Sequence, residues 1–62
     1  MERVIISIPA YIDIQLEVED WLELEEEERE ELIFEETGKY PQIKHGENWN
    51  VSDYEVLEIE EI

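Results

Sequence analysis

The chain has 62 residues, 20 of them Asp or Glu against four Lys or Arg, and a formal net charge of −16. Such a surface repels phosphate, which disfavours nucleic acid and anionic membranes as direct ligands and favours a cationic partner. With no cysteine in the sequence, no disulfide staples so small a core.

From Val4 to Val18 every even position is apolar: Val4, Ile6, Ile8, Ala10, Ile12, Ile14, Leu16 and Val18. The odd positions from Tyr11 on are Tyr11, Asp13, Gln15, Glu17 and Glu19. A period of two is β structure. Pro9 interrupts it, since proline gives the ladder no donor. Two readings keep the parity: a hairpin connected by Pro9, Ala10 and Tyr11, which is preferred, or one long strand bent at Pro9. Residues 20–37 are dominated by helix formers. Asp20 with Glu23 resembles a capping box. A helix running unbroken from Trp21, however, mixes Glu25, Glu28 and Glu36 with Trp21 and Leu32 on one face. The expected helix therefore spans about 25–37, after a turn that docks Trp21 and Leu24. Its first-turn glutamates suit the positive dipole end, and Gly38 stops it as a C′ residue followed by Lys39. Tyr40-Pro41 and His45-Gly46 punctuate a loop. The tail 51–62 is β-rich, and its parity switches between Val56 and Leu57, which predicts a bulge or two-sided burial.

The order β-β-α-β predicts an α+β fold, with one helix against a small antiparallel sheet of about three strands, in a single acidic domain over 1–62. Leu, Ile, Val and Phe make up 19 residues, about 31% against roughly 20% in disordered chains, so a fold is expected despite the charge. The longest apolar runs, 4–6 and 32–34, are too short to span a membrane. No signal peptide is evident. Asn50-Val51-Ser52 matches a glycosylation sequon, read here as chance.

No catalytic or metal motif competes with the charge. His45 is the only histidine and reads as a solvated loop residue. Ser7 and Ser52 lie in no nucleophile motif, and no EF-hand or H-E-x-x-H pattern occurs. The expectation is a protein that is not an enzyme, with no cofactor and no bound metal. Charge runs on helices are ordinarily solvated faces, but a solvating helix interleaves lysine at i+4. Here Arg29 is the lone cation, and Glu23–Glu27, Glu26–Glu30, Glu27–Glu31 and Glu31–Glu35 are like-charged pairs, each slightly destabilising. Local rules broken repeatedly tend to mark function. The candidate partner-binding residues are Asp13, Glu17 and Glu19 on a strand face and Glu23, Glu26, Glu27, Glu30 and Glu31 on an exposed helix face. Glu58 and Glu60 line another strand. Ile5, Tyr11 and Trp49 are either ordinary packing, including a dimer contact, or apolar anchors in an acidic interface.

The stretch Trp21-Leu22-Glu23-Leu24-Glu25-Glu26-Glu27-Glu28-Arg29-Glu30-Glu31-Leu32 resembles a phrase of small acidic phage proteins, W-x-x-L-[ST]-x-E-E-R-E-E-L. The chain departs from it at Glu25, where the phrase has a capping Ser or Thr. Ser52-Asp53-Tyr54-Glu55-Val56-Leu57 is similar to a segment of the phage inhibitor of uracil-DNA glycosylase, with Tyr54 in place of its target-engaging Phe. That segment is helical in the inhibitor family, whereas strand is expected here. As a class, the chain resembles phage DNA mimics that block restriction enzymes, CRISPR effectors, glycosylases or histone-like proteins.

The resulting expectation is a DNA-mimic, anti-defence inhibitor whose carboxylates stand in for phosphates on a basic nucleic-acid-binding protein, with Tyr54 as an aromatic contact. It would act in the cytoplasm, that of the host cell if phage-encoded, without touching nucleic acid or membrane. The alternative is a small acidic interaction protein, a dimeric accessory or antitoxin-like module whose charge only solubilises.

Overall fold

The computed structural model describes residues 1–9, 12–47 and 49–62. Strands β1 (Glu2–Ile8), β2 (Ile12–Val18) and β3 (Glu55–Glu61) form one antiparallel sheet in the order β2-β1-β3. A 3₁₀ turn, Trp21–Glu23, and helix α1, Glu26–Thr37, fill the interval between β2 and β3. The fold is the expected α+β arrangement of one helix and three strands.

β1 and β2 are a hairpin, not a bent strand: their register runs from Ile8↔Ile12 to Glu2↔Val18. Of the expected connection, Ala10 and Tyr11 lie outside the described residues. Alternation then does what its period requires. Val4, Ile6, Ile8, Ile14 and Leu16 all point to one face and are buried there with Trp21, Ile33, Ile43 and Trp49. Each such side chain contributes roughly 1.5–3 kcal/mol on leaving water.

β3 carries a bulge. Ile5 pairs with Glu58, but Ile6 pairs with Val56, so Leu57 is the extra residue. The predicted parity switch is this bulge. It turns Val56 and Ile59 to the inner face, opposite Ile6 and Val4, and Glu55, Glu58 and Glu60 to the outer one, opposite Ser7, Ile5 and Arg3.

Three apolar residues in a row, Leu32, Ile33 and Phe34, cannot all face one way at 100° per residue. Ile33 is fully buried, Leu32 is half-buried against the core, and Phe34 points to solvent. Glu25 is the N-cap but makes no side-chain cap bond; the acids of the first turn, Glu26, Glu27 and Glu28, complement the dipole instead.

The C-terminus differs from the expected left-handed glycine stop. Gly38 is the C-cap, right-handed at φ −62°. Its N–H still reaches Phe34 O, and Lys39 and Tyr40 donate to Glu36 O and Thr37 O, so the chain leaves through tightened turns that need no left-handed residue. The left-handed glycine is Gly46, at φ 86°, whose N–H donates to Trp49 O at 2.7 Å. That turn folds Trp49 into the core, where it is 4% exposed.

Candidate functional site

The sheet has one covered face and one open face. The open face is built from three columns set by the register. β1 supplies Arg3, Ile5 and Ser7 in the middle. β2 flanks them with Glu17, Gln15 and Asp13, and β3 with Glu60, Glu58 and Glu55. Within β2 and in the regular part of β3, neighbours on one face are about 6.5 Å apart, and the two outer columns lie about 9.5 Å apart, two strand spacings. The rise along a column is similar to that between phosphates of one DNA strand.

Five carboxylates, those of Asp13, Glu17, Glu55, Glu58 and Glu60, thus share a rigid surface with one guanidinium. Arg3 Nη1 meets Glu60 Oε2 at 3.4 Å, and Glu60 is the only one of the five in an ion pair among the described residues. Glu55 was not singled out from the sequence. Its signal was the parity switch, because only a bulge places positions 55 and 58 on the same face.

The helix presents a second acidic surface. Glu30 and Glu31 lie at i+3 and i+4 from Glu27 and at i−4 and i−3 from Phe34, and Glu26 adjoins Glu30 at i+4. Phe34, 52% exposed, therefore ends the acidic stripe as an apolar tip. Sequence reasoning left it inside an apolar run, although the 3.6-residue period already separates it from Ile33.

Arg29, the one cation of the helix, is turned inward. Its Nε donates to Trp21 O at 3.2 Å and its guanidinium carbon lies 5.2 Å from the Trp21 ring centroid. It reaches only Glu26 among the acids, at 3.9 Å. The outward glutamates, Glu27, Glu28, Glu31 and Glu35, thus have no ion-pair partner among the described residues.

Because α1 covers the inner face, its solvent side and the open sheet face look in opposite directions. The expected acids consequently divide. Asp13 and Glu17 sit on the open sheet with Glu55, Glu58 and Glu60. Glu26, Glu27, Glu30 and Glu31 sit on the helix. Glu19 lies just past the end of β2, and Glu23 ends the 3₁₀ turn; both are exposed.

Tyr54 stands just before β3, half-buried. Its ring meets Trp21 edge-on at 6.3 Å, and its hydroxyl donates to Glu26 Oε1 at 3.0 Å. Burial pushes its pKa above the ordinary 10.0, and the Glu26 carboxylate adds to this, against a smaller opposing effect of Arg29. Trp49 is core, not a surface anchor, and its indole N–H has no hydrogen-bond partner among the described residues. His45 is exposed, but its ring is held edge-on between Phe34 at 5.2 Å and Trp49 at 5.4 Å. Ile5 is half-buried amid the open face. Tyr11 lies outside the described residues.

Among the described residues, no three or more His, Asp or Glu side chains are grouped to hold a metal ion, and no helix is long and apolar enough to cross a membrane. Comparison with known proteins finds no matching family, no similar curated protein and no similar solved structure.

Proposed function

We propose that this chain is a DNA-mimic inhibitor of the anti-defence kind found in phages, acting in the cytoplasm of a host cell on a basic nucleic-acid-binding protein such as a nuclease, CRISPR effector or glycosylase. The observation that carries this reading is the open sheet face. The backbone positions of its two carboxylate columns are set by strand register rather than by a loop, and among the described residues Arg3 is the one cation paired with them. The body measures 32 × 20 × 17 Å between Cα extremes, a short rod. A duplex of that length carries about 19 phosphate charges at one per ~1.7 Å, close to the net −16. Acid on both broad sides suits a groove that closes around its ligand, as channels for duplexes do.

The test is competition and salt. Bound to a basic target captured from a bacterial lysate, the protein should be displaced by duplex DNA. Its affinity should fall at least tenfold between about 50 and 500 mM salt. Equal binding at both salts ends the mimicry reading.

A second reading has its own support. Val56, Leu57, Ile59, Phe34 and Ile62 expose apolar surface, as an accessory or homodimeric protein whose charge only solubilises would require. Replacing Asp13, Glu17, Glu55 and Glu58 by their amides separates the two. Mimicry predicts loss of affinity, and the second reading predicts none.

A further inference from the structure

We propose that the outer edge of β3 docks an extended segment whose side chains alternate basic and apolar, added as a fourth strand. Three observations meet there. First, the order β2-β1-β3 leaves β3 at the sheet edge, with no further strand among the described residues to use its outward backbone groups. Such an edge is a template for another chain. Second, the inner layer is unfinished at this edge. Val4 and Ile6 of β1 are 0% exposed, yet their neighbours across the ladder, Ile59 and Val56, remain 38% and 37% exposed. One more strand would cover them, as β3 covers β1. Third, β3 chooses its partner by charge. Its open-face residues are all glutamates: Glu55, Glu58 and Glu60. Like charges directly opposite each other on a sheet destabilise it. A second copy of β3 would set these glutamates against their equals, between two bodies of net charge −16. A strand with lysine or arginine on the open face and valine or isoleucine on the inner face satisfies both sides at once. The edge is thus guarded against its own kind and open to a cationic strand.

This inference does not require DNA mimicry; a target could be gripped at β3 whether or not its DNA site is occupied. The test uses the intact protein, labelled with ¹⁵N, and two synthetic nonapeptides of identical composition, one alternating Lys and Val, the other scrambled so that lysines fall on both faces. The alternating peptide should bind at least about tenfold more tightly, and amide exchange across Glu55–Glu61 should slow at least about tenfold while the helix amides stay unchanged. Equal binding of both peptides overturns the proposal, as do shifts centred on α1 or β2. So does a peptide-free protein that sediments as a dimer with β3 already protected, because a second copy then holds the edge. Since the peptide is varied and the protein is not, no result depends on a variant folding.

Discussion

The Tyr54 hydroxyl donates to Glu26 Oε1 across 3.0 Å, joining the entry of β3 to the first turn of the helix. The same tyrosine packs its ring edge-on against Trp21, whose own ring lies under the Arg29 guanidinium of the helix. Tyr54→Phe keeps the edge-on ring contact and loses the bond. It should cost about 0.5–1 kcal/mol, as a partly solvated hydrogen bond does. Urea melts of the two proteins at neutral pH measure it.

The same bond gives a pH signature. Tyr54 holds its proton more tightly folded than unfolded, first through burial and then through Glu26. A raised folded pKa supplies stability that is whole below the unfolded value of about 10 and lost as pH climbs through the folded value. Stability should therefore decline above about pH 10, and Tyr54→Phe should remove part of that decline. Parallel declines in both proteins would refute the assignment.

Ile33 is the point where α1 enters the core, and it is wholly buried. Ile33→Ala should cost about 2–5 kcal/mol. For 62 residues the whole stability is about 3–9 kcal/mol, so the variant should lose a large share of it, read as a lowered urea midpoint by circular dichroism.

Glu31 lies four residues from both Glu27 and Glu35. Glu31→Lys turns two repulsive pairs into two attractive ones and should stabilise by about 1 kcal/mol, a rise of about 4–8 °C in Tm. If the helix stripe touches a basic target, the same change should weaken binding. A substitution that improves the fold and harms the complex is what a surface selected for its partner predicts. Sodium chloride should raise the Tm of the native protein for the same reason, by screening its self-repulsion.

Leu57 is the surplus residue of β3 and half exposed. Deleting it leaves Val56 opposite Ile6 and Glu58 opposite Ile5, an unbroken ladder. The deletion should change stability by less than about 1 kcal/mol, whereas deleting Ile5 from the unbulged pairing of β1 with β2 flips every residue on one side of the gap and should unfold the sheet. Chemical denaturation of the two deletants decides it.

Local order was legible wherever a period repeated. The alternation over 4–18 predicted both strands, and the clash of Glu25, Glu28 and Glu36 with Trp21 and Leu32 placed the helix start within one residue. The switch at Val56 and Leu57 predicted a bulge or two-sided burial, and a bulge is what forms. What the sequence hid were relations between elements. The strand order puts β1 between its neighbours, and only this brings Asp13 and Glu17 onto the same surface as Glu55, Glu58 and Glu60. That the helix acids face the other way follows from which side of the sheet α1 covers, and no local period encodes it. Trp49 was ambiguous because a loop residue's burial depends on where the loop returns, here through the Gly46 turn. Arg29 was read as failed compensation for its acidic neighbours, whereas it serves the carbonyl and ring of Trp21.

The central position of β1 also bears on how the molecule is made. β1 and β2 are adjacent in the chain and can pair early, but the strand that closes the other side of β1 lies roughly 40 residues further on. Until that strand docks, any paired β1–β2 hairpin has a bare ladder edge beside Val4 and Ile6, the kind of surface on which neighbouring chains join wrongly. The acids of β2 and the helix are already present by then. Mutual repulsion of such chains would keep them apart until β3 docks, a service the charge renders before any partner is met.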